Sequence, residues 1–293
     1  MTTISVAVPR KGRPLEAVLE RLATHADATG LADDIISTLR YEKAITKGEQ
    51  TADRGSYERL AAYSEGDGAD YTLLRDERAG FPRRVVFDAA TIPLGDHDLR
   101  LVGREEPFRA LRKHEFALGL DSADLVLEEV VSLDEDPLTD IADVNDRIDP
   151  RDTDVRLITG LGDTVYHTLL ATPSVADGPL DRSLVDGYEG PLCISPRYER
   201  LVEAVLGTAA LDGVEFCYPS GGAEEEAAIA EAGLGVYVTV TGSTAREHGL
   251  LLGERLFPSE TVLLENRREA DGPERAVEAI FDPVETELSA PSQ

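Results

Sequence analysis

Apolar positions in this chain follow two alternating rhythms. Residues 4–8, "ISVAV", set β-branched Ile4, Val6 and Val8 among small residues and read as a buried strand. A Pro- and Gly-marked turn follows, after which Leu15, Val18, Leu19 and Leu22 recur at helical spacing. Further strands are predicted at 99–103, 117–120 and 155–160, and again after a Gly-marked turn at 165–171. From residue 191 the two patterns alternate regularly. Strands are predicted near 191–195, 213–220, 234–242 and 261–266, and helices near 197–209, 222–233 and 243–251. A short helix is expected at 107–116, whereas residues 42–79 are polar and give no clear period. Alternating strands and helices predict an α/β fold with mostly parallel sheets flanked by helices. Two successive series of this kind predict two lobes with a cleft between them.

Charge changes the picture of the surface. Asp and Glu number 57 against 29 Lys and Arg, a formal charge of −28, and the only lysines are Lys11, Lys43, Lys47 and Lys113. Acid spread over a whole globular chain suits a cytoplasm at very high salt, where self-repulsion is screened. No basic patch offsets phosphate repulsion, so nucleic acid is not an expected partner. No apolar run approaches the ~18 residues of a membrane span, and the start of the chain lacks a secretory layout. A cytoplasmic location without membrane association is the expectation.

Several motifs prove weaker than they look. The acidic stretch 134–154 invites a calcium loop, but Ile148 stands where that loop needs Gly and Asp154 where it needs a bidentate Glu. A solvated loop with short helical pieces is expected there. Gly160 and Gly162 lack the third glycine of a dinucleotide fingerprint. Cys193 and Cys217 sit in unrelated apolar contexts and are expected as buried free thiols. His114, His167 and His248 are not spaced as metal ligands, and no protein-held metal is expected. The strand predicted at 234–242 is different: it stops at Thr241 and Gly242, and Ser243 and Thr244 follow at the start of a short helix. Hydroxyls and backbone N–H groups converging there suit a phosphate. An ordinary turn with a Ser or Thr cap is the alternative.

The order of these segments resembles the ATP phosphoribosyltransferases that open histidine biosynthesis. "AVPRKGRPLEAVLERL" is similar to that family's first strand, Lys-Gly-Arg turn and helix, and "GREEPFRALRKHEFALGLDSAD" to its Arg turn and following strand. "GLGDTVYHTLLATP", "ISPRYERLVEAVL" and "SGGAEEEAAIAEAGLGVYVTVTGSTAREHGL" continue the likeness, ending at "ERLFPSETVLLEN". Residues 42–83 and 125–154 have no counterpart. The resemblance implies a two-lobed fold like the type II periplasmic binding proteins. On it, 1–173 with 239–267 would form a discontinuous first lobe and 174–238 the second, with 268–293 an acidic C-terminal tail. The stretch after Asn266 is expected to be too short for the family's histidine-sensing domain.

In that family an adenine nitrogen of ATP displaces pyrophosphate from phosphoribosyl diphosphate, with Mg²⁺ carried on the diphosphate. The resemblance therefore implies a phosphorylated small-molecule substrate or nucleotide and leaves room for a homo-oligomer. It assigns Thr241, Gly242, Ser243 and Thr244 to the 5′-phosphate, and Lys11, Arg13 and Arg104 to the pyrophosphate end. Two departures stand against activity. Tyr237 occupies the place of the acid that holds the ribose hydroxyls, and Ala117 replaces another family acid, with Ser122 in place of a glycine. Asp121, Glu224 or Glu225 could supply a substitute. The alternative is an inactive two-lobed binding or sensor protein for a phosphorylated nucleotide or sugar; a two-lobed binder of unrelated ancestry is a third reading.

Overall fold

A computed structural model describes residues 2–65, 68–75, 83–176, 178–219, 224–270, 272 and 275–281. The chain begins with β1 (Thr2–Pro9), α1 (Arg13–His25), α2 (Thr29–Lys47), α3 (Ser56–Tyr63), β2 (Ala69–Arg75), β3 (Arg83–Leu94) and β4 (His97–Arg104). It continues through α4 (Pro107–Arg112), β5 (Leu118–Ser122), α5 (Ala123–Glu129), α6 (Ile141–Asp146), β6 (Val155–Gly160) and β7 (Val165–Ala171). Next come α7 (Arg182–Val185), β8 (Gly190–Ile194), α8 (Glu199–Leu206), β9 (Val214–Cys217), α9 (Glu225–Ala232) and β10 (Leu234–Thr239). Last are α10 (Ser243–Glu247), β11 (Leu251–Ser259), β12 (Thr261–Asn266) and α11 (Arg275–Phe281).

These elements divide into two compact units. Unit 1 takes Met1–Asp121, Asp154–Leu161 and the described residues of 261–284; unit 2 takes Ser122–Thr153 and Gly162–Glu260. A discontinuous first unit was expected, but Pro173 and Thr239, the expected crossings, both lie inside unit 2. The chain changes units instead at 121/122, 153/154, 161/162 and 260/261. The sequence misleads because β6 and β7, which read as two strands joined by a Gly-marked turn, join different sheets. β6 pairs with β12, and β7 with β10 and β11.

Unit 1 holds a seven-stranded sheet in the order β2-β3-β4-β1-β5-β12-β6. Its center is parallel, β1 running with β4 and β5, but β2, β3 and β4 form an antiparallel meander and β12 opposes β6. Unit 2 holds a five-stranded sheet, β11-β7-β10-β8-β9. There β10, β8 and β9 are parallel neighbours, while β7 opposes both β10 and β11. Both sheets are therefore mixed, not mostly parallel. Short links favour antiparallel return, since a parallel crossover needs a dozen residues or more.

Helix α1 buries Leu15, Val18, Leu19 and Leu22 at the predicted spacing, against Ile35 of α2 and the sheet residues Val6, Val8 and Leu101. The same core receives Val277, Ile280 and Phe281 of α11. Part of the stretch expected as an acidic tail is thus a packed helix, its apolar residues three and four apart; residues 282–293 lie outside the described residues. In unit 2 a smaller core joins Leu170, Cys193, Ile229, Ala245 and Leu250. Cys193 and Cys217 are not in unrelated contexts: they are register partners on β8 and β9. Both are free, and burial first, then Cys217, push the Cys193 thiol up to about 12.

Candidate functional site

Unit 1 presents its basic candidates where the parallel strands end, the place where open α/β sheets usually meet ligands. Pro9 of β1 is in register with Arg104 of β4, so the Lys11–Gly12–Arg13 turn and Arg104 share one corner. Gly12 takes φ +85° and caps α1, a left-handed conformation that a side chain would resist. The turn then delivers Arg13 into the first helical position, directly before Pro14. Lys11 Nζ lies 3.6 Å from Glu105, both about half exposed. Arg104 Nε lies 3.9 Å from Glu115, and its guanidinium covers the Phe116 ring at 4.9 Å. Asp121, at the end of β5, does not stand ready as a spare acid. Its Oδ2 accepts from the Phe108 N–H at 3.0 Å, fixing the first turn of α4.

In unit 2, β10 leads into the hydroxyl-rich loop. Thr239 ends the strand with its hydroxyl 2.6 Å from that of Thr168 on β7. Gly242, at φ +68°, is the N-cap of α10. Neither Ser nor Thr holds the capping position itself, although the Thr241 hydroxyl accepts from the Ser243 N–H at 3.4 Å at the start of α10. The Thr241 and Ser243 hydroxyls are 3.0 Å apart, and Arg246 donates to the Thr241 carbonyl at 3.0 Å, holding its guanidinium beside the loop. A Cβ on Gly242 would meet Leu252 Cδ2 at 2.1 Å. The loop is therefore fixed by backbone shape as much as by its hydroxyls.

Acids converge on this corner from α9. Glu224 pairs with His248, just past α10, at 2.9 Å. Burial, then the negative charges of Glu225 and Glu226, push the Tyr237 hydroxyl up to about 12. Of the two glutamates considered as substitutes, Glu225 acts electrostatically on Tyr237, whereas Glu224 is paired with His248. The preceding residues 220–223, part of the expected diphosphoribosyl-phosphate stretch, lie outside the described residues. His248 was expected to be purely structural; its partner is a site candidate. His167 is buried on β7 with Nε2 3.3 Å from Asp124, and Ser259 donates to the other Asp124 oxygen at 2.9 Å. Asp124 and Ser259 were not singled out from sequence, because the pair is 135 residues apart. Among the described residues, no group of three or more His, Cys, Asp or Glu is arranged to hold a metal ion.

Two mixed sheets, each in its own unit, define the class: a two-unit α/β protein with a basic strand-end corner on one unit and a hydroxyl-rich strand-to-helix loop on the other. The family follows from the sequence. The model of the halobacterial ATP phosphoribosyltransferase family matches residues 1–291, and this chain belongs to that family. Among solved structures it is similar to the ATP phosphoribosyl transferase (HisG:HisZ) complex from Thermotoga maritima, at 15% identity over 95% of this chain and 94% of that one, with TM-score 0.44. It is also similar to YhfZ from Shigella flexneri, at 10% identity over 96% and 85%, with TM-score 0.43. A putative L-cystine ABC transporter from Listeria monocytogenes follows, at 9% identity over 96% and 89%, with TM-score 0.37. Among curated proteins none matches. No described helix is long and apolar enough to cross a membrane.

Proposed function

We propose that this chain is an ATP phosphoribosyltransferase-like protein that binds phosphoribosyl diphosphate or a nucleotide and, if active, transfers phosphoribosyl to a purine ring nitrogen. The observation that carries this reading is the family match across residues 1–291. On the family assignment the 241–244 loop is the candidate for the 5′-phosphate, and Lys11, Arg13 and Arg104 are the candidates for the diphosphate. Mg²⁺ would arrive on that diphosphate as part of the substrate. In the reaction the ring nitrogen bonds to the anomeric carbon as its bond to the diphosphate oxygen breaks. Pyrophosphate departs with the electron pair, and the adenine amino group sheds the balancing proton. The protein's task is positioning and charge stabilization; no covalent nucleophile is required.

Tyr237 makes the chemistry slow in this proposal. A carboxylate would accept both ribose hydroxyls and face the developing positive charge, whereas a tyrosine offers one neutral hydroxyl and more bulk. Loss of such a contact is worth roughly 2.7–4 kcal/mol, about 100- to 1000-fold in rate. The Glu225 carboxylate beside Tyr237 is the candidate that limits this loss. The test is product absorbance from ATP, phosphoribosyl diphosphate and Mg²⁺ in molar potassium chloride, coupled to pyrophosphatase. Slow turnover that Glu225→Gln abolishes supports the transferase reading. Turnover of about one per second that survives Glu225→Gln overturns the proposed role of Tyr237. Ligand binding with no turnover at any enzyme concentration favours the second reading, an inactive sensor of a phosphorylated nucleotide or sugar, which the same Tyr237 motivates.

A further inference from the structure

The chain has four lysines, and three of them line one cavity in unit 1. This space, about 270 Å³, is walled by Lys11 after β1, Lys43 and Lys47 on α2, and Arg84 at the start of β3. Its floor is apolar: Leu39, Val85 and Val86 are each at most 9% exposed. Helical periodicity accounts for Lys43 and Lys47 sharing a face, but not for Lys11 and Arg84 arriving there from two strands. Two like charges four residues apart also cost a helix stability, in a protein that otherwise avoids lysine.

The acids lining the same cavity do not cancel this charge, because each is engaged by an arginine. Glu42 is buried and accepts from Arg59 Nε and Nη2 at 2.7 and 2.8 Å and from the Tyr63 hydroxyl at 2.9 Å. Glu16 accepts from Arg40 at 2.7 Å. Two pairs made by the lysines are looser and open to solvent, that of Lys11 with Glu105 at 3.6 Å and that of Lys47 with Glu49 at 3.8 Å. Such exposed pairs are readily exchanged for a better anion. Lys43 makes no ion pair among the described residues.

We infer that this cavity binds an organic phosphate monoester, its dianion among the lysines and a small apolar body on Leu39, Val85 and Val86. The volume lies just below the ~300–1,000 Å³ usual for ligand pockets, which favours a single ring or short chain over a dinucleotide. The site goes beyond the proposed transferase function. Lys43 and Lys47 belong to the 42–83 segment that has no counterpart in the family resemblance, and only Lys11 is common to both sites.

Methyl NMR in potassium chloride, with phenyl phosphate as probe, tests the assignment and keeps the two sites separate. Leu39, Val85 and Val86 report on this cavity, and Leu252 reports on the 241–244 loop. Saturable shifts at the first three methyl groups are expected, at least tenfold weaker with neutral benzyl alcohol and with inorganic phosphate. Lys43→Gln with Lys47→Gln should weaken binding at least tenfold at an unchanged melting temperature; Arg84→Gln, on another element, gives a second route should that variant fold poorly. A response confined to Leu252 overturns this inference and leaves the 241–244 reading standing. A response confined to the cavity supports it while that reading fails. Undiminished binding by the folded lysine variant, or equal affinity for either control compound, also overturns it.

Discussion

The two candidate corners are built differently for the anion proposed at each. Unit 1 relies on long cationic side chains that stand in water and lean on acids, as Lys11 does on Glu105 and Arg104 on Glu115. Unit 2 relies on a loop whose shape comes from Gly242 and whose donors are hydroxyls and backbone N–H groups, with Arg246 folded onto it. Salt separates these strategies. Exposed charge is screened within a few ångströms at molar ionic strength, whereas a fixed hydrogen-bonding loop keeps its geometry. In a chain carrying −28, the loop should be the steadier anchor and the basic corner the adjustable one.

The largest expected effect acts on both units together. Self-repulsion among the acids should unfold the chain in dilute buffer, and melting temperature should climb with potassium chloride up to molar concentrations. Circular dichroism against salt checks this. Equal stability in dilute buffer would remove the premise that salt distinguishes the corners.

Next comes an ion pair that salt should not reach. The Glu42 side chain is 3% exposed and holds Arg59 at 2.7 Å. Glu42→Ala leaves a largely buried guanidinium unpaired and should cost about 3–5 kcal/mol, read by denaturant unfolding and similar at 1 and 3 M salt. A loss that vanishes at high salt would place this pair with the surface charges.

Glu42 also shows why part of unit 1 was illegible in sequence. A glutamate on the buried face of α2 breaks the apolar period, and the arginine and tyrosine that justify it sit 17 and 21 residues away. Helix α1 was readable because its whole buried face is aliphatic. The Lys-Gly-Arg turn and the 241–244 loop were equally readable, since local chemistry specifies a turn. What could not be read is pairing across distance: Pro9 beside Arg104, Cys193 beside Cys217, and β6 and β7 parting into two sheets. In α11 the signal was present, with Val277, Ile280 and Phe281 at helical spacing, but acidic and Pro-containing surroundings obscured it.

The unit 2 loop can be broken through its backbone. Gly242→Val forces a β-branched residue to φ +68° and drives its Cβ into Leu252. Ribose 5-phosphate affinity by calorimetry should fall at least tenfold, as several charge-assisted hydrogen bonds of roughly 1.5–3 kcal/mol are lost. Unchanged affinity in a folded variant would return the loop to a plain strand-to-helix turn.

Alkali probes the acids beside that loop. Because the folded pKa of Tyr237 is raised to about 12, above the ~10 of an unfolded tyrosine, the unfolded chain releases this proton first. The stability linked to Tyr237 is complete below pH ~10 and is lost as pH climbs toward about 12. Tyr237→Phe should flatten that part of the stability profile. Titration at 295 nm should show the wild-type group ionizing late, and earlier in Glu225→Gln with Glu226→Gln.

The smallest effect is the most diagnostic for unit 1. Lys11 and Glu105 are about half exposed and 3.6 Å apart, so their pair is worth at most about 1 kcal/mol even with little screening. At molar salt the Debye length shrinks to ~3 Å, shorter than that separation, and the contribution should approach zero. A double-mutant cycle of Lys11→Met and Glu105→Gln, run at the lowest salt that keeps the protein folded and again at 3 M, isolates it from losses of packing. Coupling that fades while the loss in Glu42→Ala persists separates surface charge from buried charge within one unit. Coupling that stays at 1 kcal/mol in 3 M salt would mean that Lys11 is held as rigidly as the unit 2 loop, and the contrast between the corners would fail at its weakest interaction.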